Sequence, residues 1–193
     1  WHSVNNDMVT RLQQRHPRIA LIGPMGAGKT SIGKRLAEAL GMAFVDSDSE
    51  IEQRTGVDIR TIFDIEGEDG FRRREEAVID ELSQRPQQVL ATGGGAILSP
   101  LTRERLRGRT TVIYLDASVE QQFQRTRHDR SRPLLQHPDP KQRLQALFAV
   151  RAPLYEATAH YRFTTDNGSP GRMVTRILDT LSNNNEPHSD PTS

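Results

Sequence analysis

The sequence predicts an α/β fold in three layers, with a five-stranded parallel sheet flanked by helices. Short apolar runs of strand length recur along the chain and are separated by stretches with helical periodicity. A glycine-rich turn and an amphipathic segment follow the first of these runs directly. Regular alternation of strands and helices favours parallel strands, because each crossover returns the chain to the same edge of the sheet.

Each element can be placed in order. The five apolar runs are Arg18–Ile22, Ala43–Val45, Val89–Ala91, Thr111–Leu115 and Tyr161–Thr164. The helix after the first run is indicated by Ile32, Leu36, Ala39 and Leu40, which fall on one helical face. Gly41 is expected to end that helix.

Length and composition limit the classes of protein. A chain of 193 residues with 34% hydrophobic residues predicts one domain over residues 18–182, with flexible termini at residues 1–17 and 183–193. The 26 basic and 25 acidic residues nearly balance, so no nucleic-acid or membrane partner is expected. The absence of cysteine excludes disulfides, thiolate metal sites and cysteine nucleophiles.

The sequence also leads to expectations about location and assembly. The sequence lacks both a long apolar run and the apolar core of a signal peptide, so we expect a cytoplasmic protein. A monomer is expected, although Phe148, Leu154 and Tyr155 could pack against a partner as easily as in a core.

A phosphate-binding loop is predicted between the first strand and the first amphipathic helix. Gly23, Gly28, Lys29 and Thr30 match the pattern G-x-x-x-x-G-K-[ST] in the context that its mechanism requires. Glycines let backbone N–H groups turn inward and, with the helix N-terminus, cradle a polyphosphate. The alternative is a tight turn with a surface lysine, which needs neither the GK pair nor the hydroxyl. The loop residues predicted to bind ATP are Gly26, Ala27, Gly28, Lys29, Thr30 and Ser31.

Three other short matches suggest alternative nucleotide-binding or metal-binding roles. Residues 64–67 fit the DxxG of GTPases, but no NKxD motif follows. Residues 69–72 resemble the DGFPR of adenylate kinases, but the proline and a preceding strand are missing. We interpret both as chance matches. Asp116, at the end of an apolar run, competes with Asp46 as a Walker B aspartate.

Two carboxylates follow the second strand at the edge of the sheet where ligands bind in open α/β folds. Asp46 and Asp48 lie two residues apart, which directs both side chains the same way if the strand geometry persists. One could hold Mg²⁺ while the other accepts a hydrogen bond from an acceptor hydroxyl. The alternative is a polar turn in which Ser47 or Asp48 caps the next helix.

Further motifs then make the pattern more specific. They are FRRRE at residues 71–75, GGG at residues 93–95, an arginine-rich run ending in RPLL at residues 125–135, and RAPLY at residues 151–155. With GPMGAGKT and DSD before them, they resemble in order the shikimate kinase family, within the nucleoside-monophosphate-kinase-like P-loop group. The resemblance extends over about residues 19–181. It implies a P-loop kinase fold with a mobile lid at about residues 126–140.

The resemblance also implies an activity and a set of site residues. The activity is ATP-dependent phosphorylation of the 3-hydroxyl of shikimate, a step of chorismate and aromatic amino acid biosynthesis. The implied cofactors are ATP and Mg²⁺. The implied shikimate-binding residues are Asp48, Arg72, Gly94, Gly95 and Arg151.

The remaining implied roles concern the nucleotide. Thr30 and Asp46 would serve the metal, and Lys29 and Arg132 would contact the transferred phosphates. Arg125 and the loop Thr165–Pro170, with Asn167, would flank the adenine.

Lys29, Asp48 and Arg132 are the implied catalytic residues. Guanidinium groups suit the shikimate carboxylate because the planar fork makes two parallel bonds. Two alternatives stay open: another small-metabolite kinase, such as a gluconate or nucleoside monophosphate kinase, and a nucleotide-binding module without activity.

Overall fold

The computed structural model describes residues 2–128, 138–165 and 168–183. Its sheet is parallel, with strand order β2-β3-β1-β4-β5. The strands are β1 (Arg18–Ile22), β2 (Ala43–Asp46), β3 (Gln88–Ala91), β4 (Thr111–Asp116) and β5 (Tyr161–Thr164). The predicted fold class is confirmed, and each strand begins and ends within one residue of its prediction.

Helices cover both faces of the sheet. They are α1 (His2–Arg15), α2 (Lys29–Leu40), α3 (Ser47–Thr55), α4 (Ile59–Leu82), α5 (Pro100–Arg109), α6 (Val119–Thr126), α7 (Pro140–Thr158) and α8 (Pro170–Asn183), with a short 3₁₀ turn at Ala96–Leu98. Helix α2 ends at Gly41 as predicted, and Gly41 adopts the left-handed conformation with φ of 64°. Helix α4 is kinked at Gly67, whose φ is 73° and ψ 178°.

Two apolar cores lie on opposite faces of the sheet. Alternate residues of β1 divide between them: Ile19 and Leu21 pack with α1, α2 and α8, whereas Ala20 and Ile22 pack with α3, α4, α5 and α7. A strand buried on both faces reads as a continuous apolar run, as in β1 and β4, whereas the edge strands β2 and β5 are partly exposed.

The prediction of an unpatterned, flexible N-terminus is wrong for His2–Arg15, which form α1. Leu12 is 1% exposed in the core, and Met8, one turn earlier, packs against the same cluster. The Gln13 amide also donates to the Leu40 carbonyl oxygen at 2.6 Å. With so few apolar side chains, the helical periodicity is weak in the sequence, and contact with the rest of the chain stabilises the helix.

Other predicted boundaries fall partly outside the described residues. Of the predicted lid at residues 126–140, residues 129–137 lie outside them, and Pro140 begins α7. Residues 184–193 also lie outside. No helix in the described ranges is long and apolar enough to cross a membrane.

The sheet brings the predicted motifs to one edge. The phosphate loop follows β1, Asp46 ends β2 and precedes Asp48, and residues 93–95 follow β3. Because the strands are parallel, their carboxyl ends share an edge, which is where ligands bind in open α/β sheets.

Candidate active site

The phosphate loop has a backbone that only glycine adopts easily. Gly23 has φ of 146°, and a Cβ at this position would lie 2.2 Å from the Leu115 carbonyl oxygen on β4. Gly28 has φ of 87° and directly precedes the first residue of α2, so the helix N-terminus faces the loop. The Lys29 ammonium donates to the carbonyl oxygens of Gly23 at 2.7 Å and Pro24 at 2.9 Å. The lysine therefore lies along the loop that is predicted to hold the phosphates.

The two predicted metal ligands are neighbours. The Thr30 hydroxyl donates to Asp46 Oδ2 at 3.3 Å. Asp46 Oδ1 accepts from the Ser49 N–H at 3.0 Å, so Asp46 also caps α3. The cap is Asp46 and not Ser47 or Asp48, because Asp46 keeps extended backbone angles at the end of β2.

The competing aspartate has other partners. Asp116 Oδ2 lies 2.6 Å from Arg162 Nη2, and Asp116 Oδ1 accepts from the Tyr114 hydroxyl at 3.1 Å. No group of three or more His, Asp or Glu side chains in the described ranges could hold a metal ion. A hydroxyl and a carboxylate fit Mg²⁺, which takes few protein ligands and completes its shell with water and substrate phosphates. The residues at Thr30 and Asp46 thus suit a magnesium–nucleotide complex better than Asp116 does.

A large cavity adjoins the phosphate loop. Its volume is about 680 Å³, within the range of small-molecule sites, and its lining includes Ala27, Arg125, Ser169 and Pro170. The Arg125 guanidinium donates to the Gly26 carbonyl oxygen at 2.6 Å. The fold therefore brings Arg125, Ser169 and Pro170 to the phosphate loop, as the adenine-flanking prediction requires. Asn167 and Arg132 lie outside the described residues.

A second pocket opens on the other side of the phosphate loop. All five residues predicted to bind shikimate line it, together with an apolar wall. The lining residues are Met25, Asp48, Ile59, Phe63, Phe71, Arg72, Glu75, Gly93, Gly94, Gly95 and Arg151. They come from the phosphate loop, α3, α4, the loop after β3 and α7, so residues distant in sequence converge here.

Buried charges dominate this pocket. Arg72 Nη1 lies 2.8 Å from Glu75 Oε1, Glu75 is 2% exposed, and Arg151 is 4% exposed. The buried atoms without a hydrogen-bond partner in the described part of the chain include Arg72 Nε, Glu75 Oε2 and Arg151 Nε. Buried polar atoms are normally hydrogen-bonded, so these atoms indicate a site built for a polar, charged ligand.

Removal from water shifts the protonation equilibria of the pocket. Burial raises the pKa of Glu75 to about 7, although the nearby Arg72 opposes the rise, and the carboxylate of Asp48 adds to it. Burial also lowers the pKa of the Arg151 guanidinium. In such a low-dielectric pocket, a bound anion interacts with the arginines more strongly than it would at the surface.

The glycines after β3 bring backbone against charged side chains. A Cβ at Gly95 would lie 2.3 Å from Arg72 Nη2, and one at Gly93 would lie 2.8 Å from Asp48 Oδ1. Any side chain here would displace the charged groups that line the pocket.

Comparison with known proteins then decides the family. A family model described as SKI: Shikimate kinase matches residues 25–182, which include both pockets. The chain belongs to the shikimate kinase family. The predicted resemblance is confirmed.

Relatives of the shikimate kinase family match most of this chain. The shikimate kinase of Pasteurella multocida (strain Pm70) is 57% identical over 166 residues, which cover 86% of this chain and 95% of that protein. That of Histophilus somni (strain 2336) is 55% identical, with the same coverage. A solved structure, shikimate kinase from Acinetobacter baumannii in complex with shikimate, has a TM-score of 0.89 and 49% identity, covering 92% of this chain and 99% of that chain.

Sequence reasoning missed several residues of this shikimate kinase family site. The FRRRE motif includes Glu75 but gives it no role, although its i, i+3 spacing from Arg72 is a signal for the ion pair. Ile59 and Phe63 share the i, i+4 spacing of one helical face, but nothing in the sequence placed that face on the pocket. Tyr155, expected to pack in a core or against a partner, is fully buried within the chain.

Proposed function

We propose that this member of the shikimate kinase family transfers the γ-phosphoryl group of ATP to the 3-hydroxyl of shikimate, yielding shikimate 3-phosphate and ADP. The observation that carries the proposal is the second pocket, where two arginines and two carboxylates meet beside the phosphate loop. Shikimate is a small anion with several hydroxyls, so it needs guanidinium groups for its carboxylate and a carboxylate for its hydroxyls. A related enzyme, that of Acinetobacter baumannii, is described as a complex with shikimate.

Arg72 and Arg151 would bind the shikimate carboxylate. Glu75 holds the Arg72 guanidinium at 2.8 Å, which fixes the direction of its remaining donors. Backbone groups of Gly94 and Gly95 can approach the ligand closely because they carry no side chain. Binding would therefore orient the ring as well as neutralise its charge.

The phosphate loop and its neighbours would bind ATP. Gly26 to Ser31 would surround the phosphates, with the Lys29 ammonium leaving its loop carbonyls for phosphate oxygens. Thr30 and Asp46 would hold Mg²⁺, which when bound neutralises charge on the phosphates. Arg125 and Asn167 would flank the adenine, and Arg132 would contact the transferred group; these last roles rest on the family pattern.

Asp48 would orient the 3-hydroxyl and accept its proton at a carboxylate oxygen as the oxygen attacks the γ-phosphorus. Phosphoryl transfer depends mainly on positioning of the reactants and on stabilisation of charge. The buried pocket would position the acceptor, and Lys29 would stabilise part of the charge on the transferred group. The pocket's apolar wall at Ile59, Phe63 and Phe71 limits water around the acceptor.

A coupled assay of ADP release tests the proposal. The protein is supplied with ATP and Mg²⁺, with shikimate or with gluconate, AMP or CMP as control acceptors. Turnover with shikimate alone supports the proposal. Turnover with a control acceptor would reassign the pocket to another metabolite kinase, and ATP binding without turnover on any acceptor would indicate a module without activity.

Asp48→Asn tests the assignment of the base. The amide keeps a hydrogen-bonding oxygen but accepts no proton at neutral pH, so kcat should fall about 10²- to 10⁴-fold. Asp64→Asn, an exposed carboxylate on α4, is the matched control and should leave kcat unchanged. Normal turnover in Asp48→Asn would place the base elsewhere.

We also propose, on the composition and the family, that the enzyme acts as a cytoplasmic monomer. Light scattering during size-exclusion chromatography measures the mass directly. A mass near 21.8 kDa supports the monomer, and a multiple of it contradicts that state.

A further inference from the structure

Tyr155 connects two parts of the acceptor pocket without lining it. It lies one helical turn after Arg151 on α7, and its side chain is fully buried. Its hydroxyl donates a hydrogen bond to the Gly94 carbonyl oxygen, across 61 residues of chain. The same helix face therefore carries a proposed carboxylate ligand and a group that holds the glycine loop.

The tyrosine ring is itself held from the sheet. It stacks on the ring of Tyr114 on β4, with centroids 5.1 Å apart and planes inclined by 29°. The Tyr114 hydroxyl is engaged elsewhere, because it donates to Asp116 at 3.1 Å. The stack thus fixes the direction of the Tyr155 hydroxyl while leaving its donor for Gly94.

The phenol remains a donor at neutral pH. Burial raises the pKa of Tyr155 to about 12, and the adjacent Arg151 guanidinium opposes part of the rise. The hydroxyl therefore keeps its proton throughout the range in which the enzyme would be assayed.

The hydrogen bond has a geometric consequence for the pocket. The described part of the chain has no cis peptide bond, so the Gly95 N–H points opposite to the Gly94 carbonyl. Holding that carbonyl at the Tyr155 hydroxyl therefore also fixes the direction of the Gly95 N–H, on the opposite side of the peptide. A Cβ at Gly94 would lie 3.5 Å from Arg151 Nη1, so the same peptide also abuts the arginine.

We infer that Tyr155 is a positioning residue for the carboxylate end of the acceptor: its hydroxyl fixes the Gly94–Gly95 peptide beside Arg151, so that backbone donor and guanidinium are presented together. The inference rests on the proposed function and deepens it. Tyr155 touches neither substrate nor phosphate and acts only through the glycine loop and Arg151.

Tyr155→Phe separates this role from packing, because phenylalanine keeps the ring stack and removes only the hydroxyl. A buried acceptor left without its donor costs enough to raise the KM for shikimate about tenfold, while kcat and the KM for ATP stay within about twofold. Tyr114→Phe is the matched control: it also removes a tyrosine hydroxyl from the stacked pair, but one that does not contact the glycine loop. It should leave the KM for shikimate unchanged.

Two results would overturn the inference. One is an unchanged KM for shikimate in Tyr155→Phe. The other is a rise that is not specific, either because the KM for ATP rises equally or because Tyr114→Phe shows the same rise, since general loosening of the fold would explain it. Failure of the proposed function is recognised separately, because the unsubstituted enzyme would then show no shikimate-dependent turnover.

A second variant keeps the test decisive if Tyr155→Phe folds poorly. Replacement of Tyr155 by 4-aminophenylalanine preserves the ring and supplies an N–H donor at the same place. It should restore a near-normal KM for shikimate. If the KM for shikimate still rose about tenfold over that of the unsubstituted enzyme, the positioning role would be contradicted.

Discussion

The acceptor pocket depends on buried charged side chains, whereas the nucleotide side depends mainly on backbone geometry. In the acceptor pocket, Glu75 and Arg151 are almost wholly buried, and their charges are held by α4 and α7. On the nucleotide side, backbone geometry at the glycine loop forms the site, and its charged side chains at Lys29 and Arg125 are partly or largely exposed. The difference teaches that substitutions in the acceptor pocket should affect stability and acceptor binding together, whereas those on the nucleotide side should affect turnover alone.

Lys29→Met gives the largest expected effect on the nucleotide side. Losing one charged donor to the transferred group should lower kcat about 10²- to 10³-fold. The free energy of unfolding should change little, because the ammonium donates to two carbonyl oxygens of its own loop and lies near the surface. Kinetics and urea denaturation measure the two quantities, with Lys34→Met on the same helix as control. A large loss of stability in Lys29→Met would contradict the expectation that substitutions on the nucleotide side affect turnover alone.

Arg151→Lys gives the corresponding effect in the acceptor pocket. The charge is kept but the fork is lost, so the KM for shikimate should rise about tenfold or more while the KM for ATP stays nearly constant. Because Arg151 is buried, the free energy of unfolding should also fall. Arg143→Lys, earlier on α7, is the control for the helix. An equal rise in the KM for shikimate and in the KM for ATP would indicate a loosened fold instead of a lost contact.

Gly95→Ala tests the acceptor pocket with a smaller expected effect than Arg151→Lys. The added methyl group would meet the Arg72 guanidinium, which must shift away, so the KM for shikimate should rise about three- to tenfold. Gly108→Ala on α5 is the matched control, since a Cβ there meets nothing within 4 Å. If the two variants had the same kinetics, the close approach of the glycine loop to Arg72 would be irrelevant to binding.

Two histidines at the opposite edge of the sheet give the smallest expected effect. Burial lowers the pKa of His16 and of His160 below 6.5, and His160 Nδ1 accepts from the Val112 N–H at 2.9 Å. Their contribution to stability is therefore complete above pH 6.5 and is lost as pH falls through the lowered values.

Urea denaturation between pH 7.5 and 5 measures this loss. The double variant His16→Gln, His160→Gln should show a flatter dependence on pH, and His128→Gln, an exposed control, should match the unsubstituted protein. An unchanged slope in the double variant would assign the acid sensitivity to other groups.

The sequence was informative where local pattern and structure coincide. Strands β1 and β4 are buried on both faces, so the apolar runs Arg18–Ile22 and Thr111–Leu115 are recognisable without any partner. The phosphate loop is equally local, because its glycines, lysine and threonine lie within eight residues. The residues proposed for shikimate were found by motif, and the fold brings them into one pocket.

Features that depend on contact between distant segments could not be predicted. Helix α1 forms although its sequence is largely polar, because Leu12 is buried against the rest of the chain. The bond from Tyr155 to Gly94 exists only where α7 meets the loop after β3. The raised pKa of Glu75 likewise follows from burial, which its neighbours in sequence do not reveal.

Binding of shikimate to the nucleotide-free enzyme, measured by isothermal titration calorimetry, tests most directly whether the acceptor pocket is preformed. The buried charges of Glu75 and Arg151, with Arg72 paired to Glu75, predict saturable 1:1 binding without ATP or ADP, weakened in Arg151→Lys and unchanged in Lys29→Met. Binding that appears only after nucleotide is added, or that Lys29→Met weakens as much as Arg151→Lys does, would contradict the account.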